Sequence, residues 1–223
     1  MEGFDWEHLP ATVERLEMRV QNLVAPAPLL RPHTTLKSLI LRSQVKDRNL
    51  ASLLFRFFPN LQAAKLLVQA WGTYLGLRIW ELPRSLTSLV MGAVNIMWSE
   101  ESGNSATGGG MIIDDGTTTE NFERRRNMWP PGLTQLHFGP IENIDKSSWV
   151  ATLPPSISDL DSFDARVAQS EWSSLPFAPQ LRSLRIAFTA DRKASTSNKS
   201  SVITEEDVLA IPRSITELEV TTA

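Results

Sequence analysis

The chain has 223 residues, of which 42% are hydrophobic and 21% charged, the composition of a globular protein and not of a disordered or collagenous one. Its 22 Lys and Arg against 25 Asp and Glu leave a net charge of -3, so no global positive field draws it onto nucleic acid or anionic lipid. Cysteine is absent, which excludes disulfides, thiolate nucleophiles, iron–sulfur clusters and Cys-type zinc sites.

The acidic opening over Met1–Glu7 has neither a basic nor an apolar leader region, and no 18 consecutive apolar residues occur. No secretion signal or membrane span is expected, and the cytoplasm, with the nucleus as an alternative, is the expected compartment. From residue 9 onward a recurring string organises the chain. Its first copy is Leu9-Pro10-Ala11-Thr12-Val13-Glu14-Arg15-Leu16-Glu17-Met18, and a shorter one is Leu36-Lys37-Ser38-Leu39-Ile40-Leu41. Asp47 can then cap a helix over 48–58 that Pro59 ends. Pro59-Asn60-Leu61 opens a third unit, and Leu82-Pro83-Arg84-Ser85-Leu86-Thr87-Ser88-Leu89 a fourth.

Residues 99–120, with Gly108-Gly109-Gly110 and Thr117-Thr118-Thr119, are of low complexity and read as a flexible insertion, in preference to a decayed repeat around Met111-Ile112-Ile113. Arg124-Arg125-Arg126 reads as the exposed side of a short helix before Trp129-Pro130. Three further copies begin at Trp129-Pro130, Leu153-Pro154 and Phe177-Ala178-Pro179. A second insertion covers 191–201, where Arg192-Lys193-Ala194-Ser195 makes Ser195 a candidate phosphorylation site for a basophilic kinase. Thr204 with three acids caps a short helix to about Ala210, and Ile211-Pro212-Arg213-Ser214-Ile215 opens the last unit.

The first apolar anchors fall at 13, 36, 61, 86, 133, 157, 181 and 215, a spacing near 24 interrupted only where the two insertions lie. Within each unit the last two apolar positions alternate, which is the period of a half-buried strand. A strand followed by an irregular or helical return, repeated, forces a parallel sheet. These strings resemble the leucine-rich repeat family, whose unit has the form L-x-x-L-x-L-x-x-N. The Leu-Pro-x-Ser-Leu-Thr-x-Leu variant is most similar to FNIP-type repeats and less so to the LPX-type repeats of bacterial ubiquitin-ligase effectors. The resemblance implies an α/β solenoid of about eight short parallel strands, a single domain over 1–223 that belongs to a longer array or pairs edge to edge with another copy.

The family's asparagine is missing. Gln21, Gln44 and Gln69 stand at that offset in the first three units and could supply an amide ladder inside the turns, whereas Val94, Ile141 and Ala165 predict irregular turns later. The tryptophans at 71, 80, 98, 129, 149 and 172 are expected in the core between strands and returns.

The middle position between the second and third anchors reads Glu17, Ile40, Lys65, Val90, His137, Asp161, Arg185 and Glu219. Stacked strands would set these side by side, and the alternating charges of the last four would pair. With Leu67 and Phe163, this concave row is the candidate protein-binding surface. The three histidines lack metal-ligand spacing, Asp114-Asp115 reads as solvated acids, and no phosphate-binding or nucleophile motif occurs. The expectation is therefore a non-catalytic interaction module without cofactor or metal. The alternatives are the substrate-recognition part of a ubiquitin-ligase complex, although residues 1–30 contain no F-box-like helix, and more weakly a hydrolase using Asp114, Asp115 or His137.

Overall fold

The computed structural model describes residues 4–21, 23–27, 30–45, 47–70, 75–92, 94–97, 125–139, 141–142, 152–162, 180–188 and 213–222. They form an α/β structure with two parallel sheets. The larger sheet contains β1 (Arg15–Gln21), β2 (Ser38–Val45), β3 (Ala63–Ala70), β5 (Ser88–Met91), β7 (Gln135–Phe138), β9 (Asp159–Ser162), β10 (Ser183–Phe188) and β11 (Glu217–Thr222), paired in chain order. The smaller contains β4 (Leu75–Arg78), β6 (Val94–Met97) and β8 (Ile141–Glu142). Each expected copy of the motif thus supplies one strand of the larger sheet.

The joint between units has a fixed construction. A 3-10 turn precedes the proline in two copies, over Trp6–His8 and Ile79–Glu81, and closes with the Leu9 and Leu82 N–H on the Trp6 and Ile79 carbonyls. Proline cannot continue that turn because it has no N–H. Its own carbonyl accepts the anchor's N–H instead, as in Leu86 to Pro83 at 3.0 Å, Leu133 to Pro130 at 3.1 Å and Ile157 to Pro154 at 3.2 Å.

The residue after the anchor links neighbouring units. Its carbonyl accepts two successive N–H groups from the next unit, an arrangement that repeats from Glu14 through Lys37, Gln62, Thr87, Thr134, Ser158 and Arg182. The Ser-Leu-Thr signature reinforces it: Ser85 Oγ donates to Leu61 O and Ser156 Oγ to Leu133 O, both at 2.7 Å, and Thr87 Oγ1 donates to Gln62 O at 3.0 Å. Each serine therefore bonds the anchor of the preceding unit. Ser156→Ala is expected to cost about 0.5–1.5 kcal/mol, read as a lowered urea midpoint at unchanged m-value.

The three apolar anchors become three buried columns. Leu36, Leu61, Leu86, Leu133, Ile157 and Leu181 form the first, Leu39, Ala64, Leu89, Leu136, Leu160 and Leu184 the second, and Leu41, Leu66, Met91 and Phe138 the third. Register carries the second column to Leu16 at one edge and Leu218 at the other, and Leu218 is 45% exposed. Trp129 is buried as expected, and Trp6 packs edge-on against Phe4, Phe57 and Phe58 while its Nε1 donates to Val24 O at 2.8 Å. Trp80 is half-buried, and residues 71, 98, 149 and 172 lie outside the described residues.

Three local expectations need correction. The helix α1 spans Leu50–Phe57, two residues shorter at its start than expected, because Asp47 Oδ1 accepts the Asn49 N–H at 2.8 Å and closes a turn before the helix begins. The backbone at Gln21, Gln44 and Gln69 lies in one row within β1–β3, not in the turns beyond them, since these strands run seven or eight residues. Val94 and Ile141 do not sit in irregular turns but open β6 and β8. The reason is a second apolar alternation, Leu75 with Leu77 and Val94 with Ile96, all buried. The chain turns from β5 into β6 at Gly92, where a Cβ would stand 3.1 Å from the Val68 carbonyl oxygen. Residue 165, both expected insertions (99–120 and 191–201) and the helix expected at 204–210 lie outside the described residues.

Candidate functional site

Strand alternation buries the anchors and turns the residues between them to the other face. The register then sets all eight middle positions in one row, in the order Glu17, Ile40, Lys65, Val90, His137, Asp161, Arg185, Glu219. Glu17, Arg185 and Glu219 are exposed and the other five half-buried. Leu67 shares this face two positions along from Lys65, while Phe163 lies outside the described residues.

At the β7–β11 end the side chains interlock. Arg185 donates from Nε to Glu219 Oε2 at 2.6 Å and from Nη1 to Asp161 Oδ2 at 3.1 Å, so one guanidinium ties three strands. The bond to Glu219, helped by the charges of Asp161 and Glu219, holds this guanidinium above its ordinary value and fully cationic. His137 Nε2 lies 3.1 Å from Asp159 Oδ2 without hydrogen-bond alignment, and its Nδ1 lies 4.0 Å from Asp161 Oδ2. Asp161 Oδ1 is buried without a hydrogen-bond partner among the described residues. Exposed cross-strand pairs of this kind contribute little to stability. Arg185→Ala is expected to leave the thermal midpoint nearly unchanged.

The rows on either side were not singled out from the sequence, although the same period of two reaches them. Arg15, Asp159 and Glu217 flank the middle row on one side, and Arg19, Arg42 and Leu67 on the other. A second cluster, Arg56, Arg78 and Glu81, lies beside α1: the Glu81 carboxylate accepts from both guanidiniums although its side chain is only 6% exposed. Burial alone would push this carboxyl up; the Ser52 hydroxyl and the Arg56 and Arg78 guanidiniums outweigh it and hold it below the ordinary 4.5.

No group of three or more His, Asp and Glu able to hold a metal occurs among the described residues. Asp114, Asp115 and Ser195 lie outside them. A hollow between Trp6, Leu30, His33 and Phe57 is also lined by Glu7 and Arg31, and its histidine is engaged, His33 Nε2 lying 2.9 Å from Pro10 O and Nδ1 3.4 Å from Thr35 Oγ1. Among the described residues no helix is long and apolar enough to cross a membrane. No protein-family model matches the chain, and no curated protein matches it.

Proposed function

We propose that this chain is a non-catalytic protein-interaction module, built as a leucine-rich-repeat-like solenoid of the FNIP kind and working in the cytoplasm or nucleus. The carrying observation is the single in-register row of eight middle positions, open to solvent on a sheet whose opposite face is core. Each unit displays a different residue there on the same backbone, which is how a stacked array composes an extended binding surface. The repeated joint, with its proline-bounded turn and its carbonyl linking unit to unit, supports the solenoid reading. The row sets charged side chains beside partly exposed aliphatic ones, so it offers a partner both polar and apolar contacts.

The test is affinity capture from source-cell lysate by the wild-type chain and by a folded Asp161→Ala/Arg185→Ala variant, with Glu14→Ala/Lys37→Ala as a control at an ion pair in the joint. A protein captured by the wild type and the control but lost from the row variant is the expected result. Identical capture by all three would remove recognition from this face.

A further inference from the structure

The open face is electrically polarised along the row. On β1–β3 it carries Arg15, Arg19, Arg42 and Lys65 against Glu17, and on β9–β11 it carries Asp159, Asp161, Glu217 and Glu219 against Arg185. None of the four cations enters an ion pair among the described residues. Partly exposed aliphatic side chains share the basic end and the strand beside it: Ile40 on β2, Leu67 on β3 and Val90 on β5. Nothing in the packing of the sheet needs this separation of charge: neighbouring strands are served as well by alternating signs.

Resting on the interaction reading above, we infer that the partner contributes an extended segment laid along the row, acidic and interspersed with aliphatic or aromatic side chains where it covers β1–β5, and basic where it covers β9–β11. From β1 to β11 the row spans about 34 Å at the usual strand separation, the length of about ten extended residues. Complementary potentials of this kind fix the direction of a bound segment and speed its arrival. A segment of reversed polarity would meet like charge at both ends.

The probe is a displayed library of random 12-residue peptides panned on the intact chain. Recovered peptides are remeasured on three folded variants: Ile40→Asp/Val90→Asp at the aliphatic positions, Arg15→Glu/Lys65→Glu at the basic end and Asp159→Lys/Glu217→Lys at the acidic end. Expected are peptides with acids gathered in one half and bases in the other, weakened at least tenfold by each of the three variants. Peptides lost on the aliphatic variant but lacking charge polarity, or unmoved by the end reversals, would overturn this inference and leave the face as a binding surface. Peptides indifferent to all three variants, or no enrichment, would overturn both readings. A dimer in sedimentation that the same reversals dissolve would make a second copy the occupant and overturn the foreign segment.

Discussion

Leu66→Ala is expected to destabilise the protein by about 2–5 kcal/mol, whereas Leu218→Ala should cost less than about 1 kcal/mol. Both residues are anchors of the same repeated string, and Leu218 continues the column that passes through Ala64 and Leu89. Leu66 lies on β3 with β2 and β5 on either side and is fully buried, so truncation opens a cavity that surrounding strands cannot close. Leu218 lies on β11, paired on one side to β10 and 45% exposed, so its removal returns little apolar surface to water. Urea denaturation of the two variants measures the contrast. Equal midpoints would mean that the units contribute alike and that the burial gradient across the sheet has no energetic weight.

Glu81→Ala is the second large effect, expected to cost about 1–3 kcal/mol, because it leaves the half-buried Arg78 guanidinium without its acceptor and removes the partner of Arg56. Glu81 stands 25 residues after Arg56, so the pair joins two successive units across α1. The same site gives the stability a pH dependence of defined sign. Its carboxyl is held lower in the folded chain than in the unfolded one. The contribution is therefore fully present above the unfolded value of about 4.3–4.5 and is lost as pH falls through the lowered folded value. Thermal midpoints of wild type should fall below about pH 5 more steeply than those of Glu81→Gln. Parallel curves for the two would remove Glu81 as the source of the acid sensitivity.

The polarised face and the Glu81 cluster differ in how far they can be traced to the string itself. The eight row residues share one offset from the anchors, so once each unit is a strand, a common face follows from the period of two and the order along the row from the order of the units. Arg15, Arg42, Asp159 and Glu217 needed the same step taken two residues further. Glu81 offered no such signal. It precedes a Leu-Pro joint like any surface residue, and only the seating of α1 against β4 and the Ile79–Glu81 turn buries it beside two arginines.

What the amino-acid sequence by itself determined was the repeat: the prolines, the anchor spacing and the alternation required one strand per unit and parallel pairing, because local sterics and burial periodicity act within a few residues. What only the tertiary structure decided was the smaller sheet, the start of α1 and the burial of Glu81. Leu75, Leu77, Val94 and Ile96 alternate like a strand, yet four-residue strands have no stability until partners from other units lie beside them. Arg185, by contrast, stands in a row whose alternating charges already imply pairing. It binds Asp161 and Glu219 because the register brings residues 24 and 34 positions away to adjacent strands, a proximity that exists only after the sheet has formed.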